Sequence, residues 1–258
     1  MAWRKWALMG WLALGAVHAA EPVVAAPAAA LPSADVLLAD IDRNLTFKTR
    51  TATVRMTVVS RERARTYVMR TWGRGVDEAA TEYVEPARDT GTRMLRLGND
   101  LWTYLPSVER VQKISGEMLR QGMMGSDLSY EDMMGAAAWR EQYEATVVGA
   151  EAFNGRPAWK IEMKARDATV AYPRRVAWVD QETRIPVRQE LYALSGMLLK
   201  TWDMTDVREF DGGRRFPTKM VIIDQLKAGS STILEMTEMS FGVELEEEVF
   251  SRRWLERR

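Results

Sequence analysis

The sequence has no cysteine and a single histidine, His18. Without cysteine, the chain can form no disulfide, no thiolate metal site and no thiol nucleophile. His18 lies in an N-terminal segment that we expect to be removed, so the mature chain would also have no imidazole for general-base catalysis or zinc binding. These absences exclude most common hydrolytic mechanisms and leave only chemistry based on paired carboxylates or lysine.

The charged residues indicate neither a nucleic-acid partner nor an anionic membrane surface. The chain has 36 basic and 36 acidic residues, and loss of Arg4 and Lys5 with the N-terminal segment leaves 34 basic against 36 acidic, a net charge of −2. Both signs are interspersed, without a basic block or a glycine-rich phosphate-binding motif. We therefore predict no nucleic-acid partner and no cofactor.

The N-terminus has the pattern of a secretory signal peptide. Arg4 and Lys5 precede an uncharged apolar run that ends near Val17, and small residues follow up to Ala20. Such a run is too short to span a bilayer comfortably but fits a cleavable export signal. We predict a signal peptide over 1–20, an Ala/Pro-rich flexible leader over 21–32, a single domain over 33–258, and a soluble mature protein in the periplasm.

One helix should open the domain, because Ser33 can cap it and Leu37, Ile41 and Leu45 recur at a spacing of four. Alternating strands follow. Their apolar residues, each set expected on one face, are Val54, Met56 and Val58; Trp159, Ile161 and Met163; and Ile185, Val187 and Leu191.

Turn signals separate these strands. They are Asn154-Gly155, Asp180-Gln181-Glu182, Ser195-Gly196, Asp211-Gly212-Gly213 and Ala228-Gly229-Ser230. Evenly spaced turns between alternating strands indicate an α+β fold that is mainly antiparallel β, a sheet or open barrel of roughly ten strands. Short helices are expected in the middle and at the C-terminus, where Phe250 and Trp254 are four residues apart.

Two neighbouring stretches are the candidate binding surface. In GNDLWTYLP, Trp102 and Tyr104 fall on one face of a predicted strand. The next stretch concentrates methionines, which adapt to varied apolar partners, among glycines. They are Met118, Met123, Met124, Met133 and Met134. The aromatic residues could be ordinary core, and the methionines could belong to a loosely packed helix. The alternative is a cover over an apolar cavity that holds acyl chains.

Acidic residues in the same stretch are better explained by helix capping than by catalysis. Ser129 and Asp132 have the spacing of a capping box. Asp127 and Glu131 complete a small carboxylate cluster, but no basic or aromatic partner stands at a catalytic spacing. We expect a capped, solvated helix start and no metal site.

The two stretches together resemble the LolA-like group of outer-membrane lipoprotein-sorting proteins. A Gly-x-x-Leu-Trp-x-Tyr-x-Pro pattern is a hairpin strand in that group, and MGSDLSYEDM looks like an insert of its larger branch. The residues that match the pattern are Gly98, Leu101, Trp102, Tyr104 and Pro106. The resemblance implies a half-open β-barrel of about ten to eleven strands, covered by short helices, with an apolar cavity for lipid or acylated protein. The family's arginine-proline pair, which supports lid movement, is not matched: the comparable stretch has Glu85 before Pro86, and Arg88 two residues later.

Three functions follow as hypotheses. The first is a non-enzymatic periplasmic carrier of a lipid or lipoprotein, served by an inner-membrane transporter as donor and an outer-membrane acceptor. The second is an envelope stress regulator whose half-barrel binds a protein or peptide. The third, a carboxylate-based glycan hydrolase, would need two acidic side chains about 5–10 Å apart across a cleft, and no pair is spaced to suggest it. We favour the carrier.

Overall fold

The computed structural model describes residues 31–61, 63–134 and 139–257. The predicted signal peptide and all but two residues of the predicted leader lie outside these ranges. Within them, the α-helices are α1 (Ala34–Leu45), α2 (Tyr130–Met134), α3 (Trp139–Gln142) and α4 (Arg252–Leu255). None of the helices in these ranges is long and apolar enough to cross a membrane.

The strands form one antiparallel sheet. They are β1 (Thr49–Val59), β2 (Ala64–Arg74), β3 (Glu78–Glu85), β4 (Arg93–Leu97), β5 (Asp100–Leu105), β6 (Arg110–Ile114), β7 (Tyr143–Phe153), β8 (Arg156–Ala165), β9 (Arg174–Asp180), β10 (Pro186–Tyr192), β11 (Leu198–Phe210), β12 (Arg214–Asp224) and β13 (Ser231–Phe241).

The strand order shows how the chain is wound. It is β6-β5-β4-β3-β2-β1-β13-β12-β11-β10-β9-β8-β7, so β13 joins two meanders and the sheet ends in β6 and β7. The mainly antiparallel prediction is confirmed, but the predicted count of about ten to eleven strands is wrong, because the sheet has 13. The prediction missed short polar strands such as β6, whose backbone pairs with β5 although most of its side chains are not buried.

The predicted local signals account for much of the chain path. Ser33 accepts a hydrogen bond from the backbone N–H of Val36 and so caps α1. Asn154 and Gly155 both have positive φ, 49° and 77°, as a two-residue type I′ hairpin requires. The turns at Ser195-Gly196 and the other predicted positions also join consecutive strands.

One predicted alternation is wrong. A β-bulge in β10 shifts its register against β9 between Pro186 and Arg188. Val187 therefore packs with Phe153 against the cluster around Trp178 instead of sharing a face with Leu191. A bulge inserts one extra residue and exchanges the faces of the side chains that follow, which the apolar pattern alone does not reveal.

The two faces of the sheet are covered differently. We call inner face the one that carries Val54, Met56, Leu234 and Met236. Helix α1 packs on this face over β8 and β9, where Leu37, Leu38, Ile41, Ile161 and Met163 are buried together. The opposite, outer face is covered over β3 and β4 by the C-terminal residues, with Phe250, Trp254 and Leu255 buried against Leu95.

Candidate functional site

Residues 115–134, here called the cover segment, leave edge strand β6 and lie against the inner face. The segment contains two short 3₁₀ helices, Gly116–Arg120 and Met123–Gly125, before α2. A β-bridge between Gly122 and Ser129 closes a tight loop. A Cβ atom on Gly122 would lie 1.9 Å from the Ser126 carbonyl oxygen, so only glycine fits there.

Methionines supply much of the contact between the cover segment and the sheet. All five predicted methionines lie in or against the inner-face cluster, and Met123 is only 5% exposed. The sheet contributes seven more. They are Met56, Met69, Met94, Met204, Met220, Met236 and Met239. Methionine is flexible and polarizable, so both sides of this interface can repack around another apolar surface.

The sequence does not single out these strand methionines, because they are scattered over six strands. Met56 and Met69 stand on neighbouring strands, and Met220 pairs directly with both Met204 and Leu234. Register alone brings them together, since residues paired across antiparallel strands share a face. In the described chain only Met163, under α1, and Met197, half exposed in a turn, lie outside this cluster.

The structure does not place Trp102 and Tyr104 with the methionines. In β5 the side chain of Leu101 belongs to the inner face, so the next residue, Trp102, points to the outer face. There Trp102 and Tyr104 pack against the cluster around Leu95 and Trp254. The seven predicted site residues therefore fall into two groups on opposite faces and do not form one pocket.

A buried carboxylate, Asp132, fixes the end of the cover segment. Its side chain accepts a hydrogen bond from the Ser129 backbone N–H at 2.8 Å, and Ser129 Oγ accepts one from the Asp132 N–H at 3.1 Å, which confirms the predicted capping box. Asp132 also accepts hydrogen bonds from the Tyr172 hydroxyl and the Lys200 ammonium. Burial, together with the Asp132 carboxylate, raises the pKa of Tyr172, which favours the protonated hydroxyl that donates this hydrogen bond.

A second buried carboxylate, Asp127, fixes the middle of the cover segment to the start of β13. It accepts hydrogen bonds from Ser230 Oγ at 2.7 Å and Thr232 Oγ1 at 3.0 Å, and its own N–H donates to Thr232. Lys227 adds an ammonium 3.8 Å away. The predicted solvated helix start is therefore wrong for Asp127 and Asp132, because three-dimensional packing places both against the sheet.

The cover segment occupies the inner face in this structure. A surface groove of about 560 Å³ lies elsewhere, beside the β7–β8 and β9–β10 turns, and is lined by mixed polar and apolar residues such as Phe153, Arg156 and Asp203. In the described ranges no group of three or more acidic or histidine side chains could hold a metal ion. Arg88, two residues after Pro86, is largely exposed and pairs with Asp89.

Comparison with known proteins identifies a matching family model and a solved structure with a similar fold. A family model described only as that of an uncharacterized protein matches residues 75–257. A proposed outer membrane lipoprotein-sorting protein domain from Vibrio parahaemolyticus is 26% identical, with a TM-score of 0.78 over 87% of this chain and 98% of that one. The chain belongs to the family that the matching model describes, and it is similar to the lipoprotein-sorting domain over most of its length.

Two further solved structures have a similar fold. A DUF1329 family protein from Desulfovibrio piger is 23% identical, with a TM-score of 0.80 over 86% of this chain and 97% of that one. A LolA superfamily protein from Nitrosomonas europaea is 22% identical, with a TM-score of 0.72 over 87% of this chain and all of that one. No curated protein matches the sequence significantly.

Proposed function

We propose that this LolA-like protein is a non-enzymatic periplasmic carrier or chaperone for a lipid or an acylated lipoprotein. The observation that carries the proposal is the methionine interface between the cover segment and the inner face. Twelve methionines meet there, and the similar Vibrio protein is described by a lipoprotein-sorting role. Removal of residues 1–20 on export would leave the leader, 21–32, and one domain, 33–258, in the periplasm.

In the proposed mechanism, the ligand replaces the inner face of the sheet as the apolar surface against which the cover segment packs. Each CH₂ group that leaves water contributes about 0.8 kcal/mol, so acyl chains of ordinary length supply enough free energy to compete with the cover segment. The methionines of the cover would then pack against the ligand instead of the strands. The five predicted cover methionines are the proposed ligand contacts, together with strand residues such as Met56 and Met236. Trp102 and Tyr104 have a structural role on the outer face.

Loading and release require partners that change the position of the cover. An inner-membrane transporter would deliver the ligand, and an acceptor at the outer membrane would receive it. The buried pairs of Asp127 and Asp132 hold the cover closed in the empty protein, which keeps the apolar face from water. No nucleic acid and no cofactor take part in this scheme.

A second candidate is a regulator that binds a protein. It is favoured by the position of β7, an eleven-residue strand, at one edge of the sheet that the described residues form, where Val148 is 48% exposed. A partner peptide could extend the sheet there through main-chain hydrogen bonds. Such binding would leave the cover in place, which separates it from the carrier in the experiment below.

The test is to lock the cover with a disulfide. Because the chain has no cysteine, the pair Asp127→Cys and Thr232→Cys would introduce the only thiols. A matched control is Thr57→Cys with Thr66→Cys, whose hydroxyls are 3.4 Å apart across β1 and β2 on the outer face. Uptake of a diacylated lipopeptide and of dioleoyl phosphatidylglycerol would be measured by native mass spectrometry, with each variant oxidised and reduced.

The carrier proposal expects uptake by the wild type, by both reduced variants and by the oxidised control, and none by the oxidised cover variant. Equal uptake with the cover locked would place the ligand elsewhere on the protein. Absence of uptake by the wild type would contradict the carrier and favour the regulator. Melting curves of the reduced variants establish that each has folded.

A further inference from the structure

Arg50 is a charged residue without a charged partner, located at the far end of the inner face. In β1 it follows the same alternation as Ala52, Val54 and Met56, and it pairs with Phe241 on β13. Its guanidinium carbon lies 4.5 Å from the ring centre of Phe47. The Nε atom is buried without a hydrogen-bond partner. Among the described residues, Arg50 has no ion pair.

Two aromatic rings, those of Phe47 and Phe216, lie within cation–π distance of this guanidinium, and further rings pack against them. We call aromatic group the four residues Phe47, Phe210, Phe216 and Phe241. Phe216 and Phe241 also belong to the inner-face packing, so the group is continuous with the methionine surface. Cation–π contacts of this kind offset part of the loss of water but satisfy no N–H donor.

The neighbouring Arg214, in contrast to Arg50, donates hydrogen bonds that give it a structural role. Its guanidinium lies over the ring of Phe241 at 5.1 Å, and it donates hydrogen bonds to the carbonyl oxygens of Arg43, Asn44 and Thr46 at the end of α1. Arg214 therefore closes the C-terminus of a helix. No comparable role explains Arg50.

A half-buried guanidinium whose Nε is buried without a hydrogen-bond partner is unfavourable for the empty protein. Burial lowers the pKa of Arg50 to about 10, so the guanidinium still carries its charge at neutral pH. A buried donor without a partner loses hydrogen bonds to water that nothing in the protein replaces. An anion at this position would restore them, and guanidinium is the side chain best suited to phosphate and carboxylate.

We propose that Arg50 binds the anionic headgroup, a phosphate or a carboxylate, of an amphiphile whose acyl chains lie on the inner face. The inference rests on the proposed carrier function and specifies its ligand class. Val58 pairs with Thr232, the residue that holds Asp127 of the cover. From Val58 to Arg50 the strand extends about 26 Å at roughly 3.3 Å per residue. The inner face thus offers an apolar path with the cover at one end and a positive charge at the other.

The test compares two lipids that differ only in the headgroup phosphate: oleoyl lysophosphatidate and monooleoylglycerol. Their dissociation constants would be measured for the wild-type protein, Arg50→Gln and Arg55→Gln. Arg55 lies on the same strand but is exposed on the outer face, so its replacement removes the same charge away from the aromatic group. Glycerol phosphate, the headgroup without the chain, is the third ligand.

Wild type and Arg55→Gln are expected to bind the phosphate-bearing lipid about tenfold more tightly than the neutral one, and Arg50→Gln to bind both equally. If Arg50→Gln still binds the phosphate-bearing lipid more tightly than the neutral lipid, the proposal is overturned. Preference for glycerol phosphate over both lipids would indicate a free-anion site and would also overturn it. If both lipids bind the wild type equally, the headgroup site fails while the carrier stands; if neither binds, the carrier itself fails.

A stability measurement separates a ligand site from a structural arginine. Replacement Arg50→Met removes the unpaired charge and retains an unbranched apolar chain, so the melting temperature of the empty protein should rise by about 2–4 °C. A fall in melting temperature would mean that the aromatic group already satisfies the guanidinium, which would contradict the assignment.

Discussion

The carboxylate of Asp132 in the cover segment is buried against the ammonium of Lys200 on β11. These residues are 68 positions apart in the sequence, and their contact joins α2 to the start of β11. Tyr172, from the loop between β8 and β9, donates to the same carboxylate. One acidic side chain therefore connects three separate parts of the fold.

Replacement Lys200→Met should destabilise the protein by about 3 kcal/mol, because it leaves a carboxylate buried without its cation. The free energy of unfolding in urea measures the effect. Lys219→Met is the control: Lys219 pairs with Glu235 at 3.3 Å, but both side chains are substantially exposed, so the change should be less than about 1 kcal/mol. Equal effects of the two replacements would show that the Asp132 pair contributes no more than a surface ion pair.

Gly122→Ala should loosen the cover segment without removing any contact with a ligand. The added methyl group would meet the Ser126 carbonyl oxygen, and the loop between Gly122 and Ser129 would have to open. Gly149, in β7, has no atom within 4 Å of the position that an added methyl group would take, so Gly149→Ala is the control. Hydrogen exchange of amides 123–134 should accelerate at least tenfold in Gly122→Ala alone; unchanged exchange would contradict the tight-loop description.

A charge among the methionines should interfere with ligand binding, whereas a charge away from the inner face should not. We expect Met124→Glu to lower lipopeptide affinity at least tenfold, since a carboxylate would enter an apolar contact. Met197→Glu, in a turn where Met197 is 50% exposed, controls for the added charge.

Trp102→Ala should reduce stability by about 3 kcal/mol but leave affinity unchanged. Binding titrations on folded variants decide between these outcomes, and loss of binding in Trp102→Ala would return that residue to the site.

Asp180 should make stability depend on pH in the acidic range. Its pKa is lowered: burial would raise it, but hydrogen bonds from Arg156 and Thr183 outweigh that effect. A folded-state pKa below the unfolded value stabilises the protein above the unfolded pKa of about 3.9, and this stabilisation is lost as the pH falls through the folded value. Asp180→Asn should therefore be less stable than wild type at neutral pH, and the difference should shrink as the pH falls below about 3.9. A constant difference across this range would exclude the carboxylate as the cause.

The sequence predicted correctly those features that depend on interactions between residues close together in the chain. The capping box of Ser129 and Asp132, the Asn154-Gly155 hairpin and the first helix depend on residues within four positions of each other, and all were predicted correctly. Alternation also identified the inner face of β1 through Val54 and Met56.

The sequence did not predict features that depend on contacts between residues far apart in the chain. Asp127 is buried because Ser230 and Thr232, more than a hundred residues later, supply its hydrogen bonds. The outer-face position of Trp102 depends on the C-terminal helix, which provides Trp254 as a neighbour. Both aromatic and methionine side chains suit any apolar contact, so their identity did not reveal which face they would occupy.

The cover segment also has a mechanical consequence through its place in the chain. It belongs to the stretch that links β6 to β7, and these are the two strands at opposite edges of the sheet. The number of residues in this link sets how far the edges can separate when something bulky enters. Under the proposed carrier function, changes in its length would therefore alter the size of the ligand that can enter, even if every residue that touches the ligand stayed the same.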